Sequence, residues 1–315
     1  MSFRMKLTLG AVISLACVII VTQSTAVRRL FYALNYDRTL DAYSQVDTTV
    51  SDVTNAVGSD GRPASLVSAF FGLDDALPLI ADRLICEGAA GKDGMPVIFS
   101  HEVDIRTLEP GDFKVTTSTG AIGKATCLSL APADDPGELR TVLLVGQFGS
   151  SDDQPATVEI VGNLLSIDDT VNFKGTSVKV TPLEDGPSLV LAERIPRKEW
   201  TLNARGTSLQ FGGGSGCPIN TKQIIRVTWS GGITKPNGHD VDDLERRLYR
   251  VTIQQHDNSL KEITPFALGD LHDGDNNHKL CLDTTALVKR VSFPAGHLTD
   301  PRGDLNPSTS ISVLN

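Results

Sequence analysis

From Pro96 onward apolar residues fall at every second position, and clusters of turn-forming residues break the chain about every ten residues. That rhythm confines the chain to a sandwich or barrel of short strands, because successive side chains of a strand point to opposite faces of its sheet. In a first module, residues 95–194, strands are predicted at 96–100, 112–117, 124–131, 140–147, 157–161, 177–181 and 188–193. The stretch 140–147 is almost continuously apolar, as a central strand is. A second module, residues 206–315, repeats the order less regularly, with strands at 224–229, 248–253, 260–265, 278–283 and 288–293 and a closing strand at 310–313. The expected fold class is mainly β, two β-sandwich modules preceded by a short helical N-terminal segment.

That segment, residues 27–94, reads differently. Leu66, Val67, Phe70, Leu73, Leu77, Ile80, Leu84 and Ile85 recur close to the helical period of 3.6, which predicts two helical pieces over 65–71 and 73–86. Gly88 and Gly91 to Gly94 end them. The expected role is a cap over one edge of the first sandwich, with a partner-binding amphipathic helix as the alternative.

The N-terminus sets the compartment. Arg4 and Lys6 precede an apolar run from Leu7 to Val21, and Ser24, Thr25 and Ala26 supply the small residues of a cleavage site. The run is shorter than the roughly 18 residues of a membrane span, so a signal peptide over 1–26 is expected, with an uncleaved anchor or lipidation at Cys17 as alternatives. Four cysteines remain in the exported part, Cys86, Cys127, Cys217 and Cys281. An even number in an oxidising compartment implies two disulfides. Of three possible pairings, a module boundary near 194–206 favours Cys86 with Cys127 and Cys217 with Cys281. The expected location is secreted, periplasmic or cell-surface. No Asn-x-Ser/Thr sequon occurs, which favours a bacterial source.

The net charge of −9 and the 5% aromatic content exclude a nucleic-acid partner, which needs a basic track with stacking aromatics. Membrane contact is expected only through the N-terminal signal, if that is retained.

The first module opens with Ile98, Phe99, Ser100, His101, Glu102, Val103 and Asp104, then Thr107, Leu108, Glu109, Pro110, Gly111, Asp112, Phe113, Lys114 and Val115. This resembles the opening of the bacterial immunoglobulin-like modules of secreted and cell-surface proteins, over about a third of the chain. The stretch from Ala295 to Asn306 looks like the terminal turn of the same family, with an acidic insertion at 237–247 as a departure. The resemblance implies immunoglobulin-like sandwiches in a binding, spacer or adhesive protein. It carries over no catalytic residue.

The densest chemistry lies between Asp270 and His278. Asp273, Asp275 and Asn277 place hard oxygen donors at alternate positions, and with Asp283 beyond the next strand they form the candidate calcium site. A hydrogen-bonded turn of Asp, Asn and Gly is the alternative. Asp300, Asp304 and Asn306 form a second oxygen-rich turn, and His272 and His278 flank the acidic loop, where a transition metal could use them with Asp273 or Asp275. Gly212 to Cys217 lacks the Gly of a serine-hydrolase elbow at 217 and reads as a linker. The Arg302, Gly303, Asp304 tripeptide sits in a turn that already explains it. The expected function is a non-enzymatic exported binding or structural protein, calcium-stabilised, whose partner is an extracellular or cell-surface protein or glycan. The alternative is an extracytoplasmic metal-dependent hydrolase or lyase using Asp270, His272, Asp273 and His278.

Overall fold

The structure, a computed structural model, describes residues 46–205 and 214–315. The expected signal at 1–26 lies outside the described residues. No described helix is long and apolar enough to cross a membrane.

Seven strands close into a barrel: β1 (Leu66–Phe70), β2 (Asp93–Phe99), β3 (Phe113–Thr117), β4 (Ile122–Ser129), β5 (Thr141–Gln147), β6 (Pro155–Ile160) and β7 (Ser177–Thr181). Their order around the ring is β1, β2, β5, β4, β3, β6, β7. A ring with an odd number of strands cannot alternate direction all the way round, so one pair must be parallel. That pair is β1 with β7, Ala69 opposite Val180 and Phe70 opposite Thr181. Met95, Val97, Phe99, Leu144, Phe148, Val158 and Phe173 fill the interior, with the Phe99 and Phe173 rings edge to face at 4.9 Å. The first module is therefore a closed barrel where a sandwich was expected, and closure removes the unpaired strand edges that a sandwich would expose.

Strand β1 is what closes it, and it replaces the first predicted helix. Its register slips between Leu66 and Ser68, a bulge that puts one extra residue into the strand. Leu66 and Ala69 then both face the barrel core, which reproduces a helix-like spacing of three within a strand. Phe70 turns the other way, against the second module, so β1 is buried on both faces and shows no period of two. The second predicted helix shrinks to α1 (Ala81–Leu84). Leu77, Ala81 and Ile85 pack there against Val145, and the Cys86–Cys127 disulfide ties the segment to β4.

The second module is a sandwich. One sheet runs β12 (Ala267–Gly269), β13 (Asn277–Leu282), β9 (Gln223–Trp229), β8 (Leu189–Arg194). The other runs β11 (Leu260–Ile263), β10 (Arg250–Gln254), β14 (Leu287–Phe293), β15 (Thr309–Ser312). Residues 188–193, expected to end the first module, form β8 and pair antiparallel with β9. Leu189 and Ala192 complete the sandwich core around Trp229, Tyr249 and Phe293. An alternating strand carries no mark of which sheet it will join; the register of its partner decides that. The acidic insertion folds into α2 (Asp243–Arg246), with the Asp242 carboxylate accepting from Leu244 N–H and Glu245 reaching back to Asp242 N–H. Cys217 and Cys281 pair as expected, their Cα atoms 5.7 Å apart.

Phe99→Ala empties the centre of the barrel. It is expected to lower stability by about 3–5 kcal/mol, read by guanidinium denaturation; a loss below about 1 kcal/mol would contradict the packing described.

Candidate functional site

On β9 the alternation sends Ile225, Val227 and Trp229 into the sandwich and turns Arg226 and Thr228 outward. On β13 it sends Leu280 and Leu282 inward and Lys279 outward. The register sets Lys279 directly opposite Arg226, and Arg226 opposite Glu193 of β8. Two cations face each other across a sheet, an arrangement that repels unless an anion covers it. The covering anion comes from the barrel. Glu138, in the loop between β4 and β5, is 1% exposed. Its Oε1 lies 3.4 Å from Arg226 Nε and 3.2 Å from Lys279 Nζ. Arg226 also donates to the carbonyls of Pro136 and Gly137, and Glu193 receives both Arg226 at 3.0 Å and the barrel's Arg140 at 3.1 Å. Burial works to raise the Glu138 pKa, but Lys279 and Arg226 overcome it and hold the carboxyl below its ordinary value.

Asp270 links this junction to an acidic cavity. Lys279 Nζ donates to Asp270 Oδ1 at 2.5 Å. Burial first, then the Glu138 charge, raises the Asp270 pKa well above its ordinary value. Asp270 Oδ2 is buried with no hydrogen-bond partner among the described residues. Beyond Asp270 the chain turns sharply, with positive φ at Asp270 (64°), His272 (75°) and Gly274 (76°). The turn encloses about 320 Å³ lined by Asp240, Asp270, His272, Asp273, Asp275, Asn277 and His278. Burial and the nearby Glu138 push Asp273 up to about 7 and Asp275 well above its ordinary value. Gly214 closes the other side: its N–H donates to Asp135 Oδ2 at 3.0 Å, and a Cβ there would collide with carboxylate oxygens of both Asp270 and Asp273.

The buried histidine belongs to a polar chain through the sandwich core. Trp229 Nε1–H donates to Tyr249 Oη at 3.1 Å, which leaves the tyrosine proton for His278 Nδ1 at 2.8 Å. His278 Nδ1 is thus an acceptor and the ring proton sits on Nε2. Burial lowers the His278 pKa to about 4 and keeps the ring neutral. His272 is exposed, its Nδ1 3.3 Å from Asp240 Oδ2.

Of the four expected calcium ligands the fold brings together Asp273, Asp275 and Asn277 and separates Asp283. Asp283 follows the far end of β13, roughly 20 Å from Asn277 at the rise of an extended strand, and borders a different groove with His256 and Asn258. Asn277 is already engaged: its N–H and Nδ2 donate to Asp275, and its Oδ1 accepts from Thr228 at 2.7 Å. Asp240 was not anticipated at the cavity, nor were Glu138, Arg226 and Lys279 at the junction. Their only trace in the sequence is a charged residue at an outward position of each of two apolar strands. In the second oxygen-rich turn Asp300 Oδ1 accepts from the Arg302 and Asp304 N–H groups and Asn306 Oδ1 from those of His297 and Leu298, while Asp300 Oδ2 is buried with no hydrogen-bond partner among the described residues. It shares one end of the module with the acidic loop, since Pro301 and Asp275 border the same apolar cleft between the modules. Arg302 is paired with Asp304 at 3.1 Å within that turn.

No family model matches the chain, and no curated protein does. Among solved structures it is similar to the N-terminal part of the bacterial S-layer protein SbsC, at 10% identity and a TM-score of 0.26 over 80% of this chain and 44% of that one. It is similar also to domains 1–6 of the surface layer protein SbsC, at 11% identity and 0.26 over 74% and 42%. The chain thus spans less than half the length of either. The two disulfides are those of a protein that folds outside the reducing cytosol.

Glu138→Ala leaves Arg226 and Lys279 buried without their shared carboxylate and is expected to cost about 3–5 kcal/mol, seen in urea as separate unfolding of barrel and sandwich. Because the folded pKa of Glu138 is depressed, its contribution is present above the unfolded value of about 4.3 and is lost as pH falls through the folded value. Acid titration should therefore loosen the junction in the natural chain and do so less in Glu138→Gln, followed by tryptophan fluorescence. Equal acid sensitivity in both would contradict the assignment.

Proposed function

We propose that this is an exported, non-enzymatic structural or binding protein of the cell surface or extracellular space, its two β modules held as one rigid unit and its second module stiffened by calcium. The observation that carries this reading is the buried junction, in which one barrel carboxylate bridges two sandwich cations. Flexibly linked domains meet through smaller, more polar and solvated contacts. A rigid body suits a spacer or scaffold that presents loops to a surface protein or glycan. The two packed sheets of the second module support an immunoglobulin-like reading of that half.

Calcium enters at the acidic cavity. Asp273 and Asp275 supply oxygen donors, with Asp240 on the same wall and Asn277 orienting Asp275. Carboxyls pushed upward by burial and by one another are groups that a divalent cation would relieve. Calcium is expected to raise the melting temperature of the exported chain, and Asp273→Ala together with Asp275→Ala to abolish the rise. No calcium-dependent shift would remove this part of the reading.

One observation favours a second reading, that Asp270, His272, Asp273 and His278 border a single cavity. A hydrolase or lyase would use Asp273 as its acid or base. Turnover on a panel of surface polysaccharides and peptides, lost in Asp273→Asn, would establish it in place of the first; its absence leaves the structural reading.

A further inference from the structure

Residues 47–63 lie along the outside of the barrel as an arm. Asn163 Nδ2 donates to the Thr49 carbonyl at 2.9 Å, Asn172 Nδ2 to that of Val53 at 3.1 Å, and Asn55 Nδ2 to that of Thr170 at 3.1 Å. Where the arm begins, three carboxylates from separate parts of the chain converge. Asp47 Oδ2 accepts from the N–H and Nδ2 of Asn163. Glu109 accepts from the N–H and hydroxyl of Thr48. Asp112, at the entry to β3, accepts from Glu109 N–H through Oδ2 at 2.7 Å. One oxygen from each of the three lies within 4.8 Å of the others.

Acidic groups gather on many surfaces without a ligand. This one differs in Asp112, which has no solvent exposure and whose Oδ1 has no hydrogen-bond donor among the described residues. The neighbouring turn leaves room for that oxygen only because residue 162 is glycine; a Cβ there would collide with it. A sealed carboxylate oxygen without a donor, beside two further carboxylates, costs free energy unless a cation or a proton satisfies it. Two oxygens on one calcium ion, each at about 2.3–2.6 Å, are no more than about 5 Å apart, so the spacing of the three groups suits one such ion.

We infer that Asp47, Glu109 and Asp112 form a binding site for a hard divalent cation of calcium's size, which fastens the arm to the barrel. Carboxylates are the donors such a cation prefers, and water completes the six to eight positions it needs. The site is independent of the acidic cavity in the sandwich, with which it shares no residue. Its consequence is local: with the cation bound, Asp47 holds the arm to the turn before β3, and without it three carboxyl groups meet with no cation between them. Burial and the charges of Asp47 and Glu109 push Asp112 up to about 7, so a proton is the competitor for the same oxygen.

Hydrogen exchange of the exported chain, freed of metal by chelation and then given calcium chloride, tests the inference. Amides of residues 47–55 are expected to exchange about 100-fold more slowly at a calcium concentration about 100 times the dissociation constant. Asp112→Asn keeps the shape of the protonated acid and removes the charge, and is expected to fold normally and lose the slowing. In the Asp273→Ala, Asp275→Ala chain the slowing should persist, which separates this site from the cavity of the second module. Arm exchange that ignores calcium in the natural chain would overturn the inference in favour of a buried proton on Asp112, and slowing of equal size in Asp112→Asn would overturn it as well.

Discussion

The molecule depends on a register. With Lys279 set opposite Arg226, two cations stand side by side on the outer face of a sheet whose inner face is the sandwich core. Neither can turn inward, because the alternation of the strand commits Ile225, Val227 and Leu280 to that side. The sheet therefore has to be covered, and by something negative. The barrel supplies Glu138, and the loop that carries it also lends the carbonyls of Pro136 and Gly137 to Arg226. Every residue of β9 is buried, one face by the sandwich core and the other by the barrel loop at Arg226 and by Ile195, Cys217 and Cys281 at Ile224.

The same constraint shapes the acidic cavity. Lys279 holds Asp270 as well as Glu138, and burial together with the Glu138 charge raises the Asp270 pKa. Negative charge at Glu138 is then felt at Asp273 and Asp275, which are pushed upward in turn. The chemistry of the loop is thus not a property of the loop alone. Asp273 taken from its sequence neighbours is an ordinary turn residue; beside burial, what raises it is the charge of Glu138, which belongs to the barrel loop.

Particular elements show what could be read without coordinates. The disulfide pairing followed from two cysteines on each side of a boundary, a matter of chain distance, and Cys86 with Cys127 and Cys217 with Cys281 are the bonds that form. Most strands from Pro96 onward were legible from alternation or, for 140–147, from a continuous apolar run, whereas the short β12 was not anticipated. Strand β1 was not, since a bulge gives Leu66 and Ala69 a helical spacing and Phe70 is buried on the opposite face. Of the candidate site, Asp273, Asp275 and Asn277 border one cavity because a turn makes sequence neighbours into spatial ones. Asp283 was misplaced because a six-residue strand intervenes and carries it away.

By itself the sequence determined that the chain is mainly β, cross-linked by two disulfides and richest in Asp, Asn and His side chains between Asp270 and His278. These are local properties, set by side-chain period, turn residues and loop closure. Only the tertiary structure decided that the first module closes into a barrel, that β8 crosses to the second, and that Glu138 meets Arg226 and Lys279. Strand pairing and charge burial join residues far apart in the chain, and no local pattern records which partner a strand or a buried charge will find.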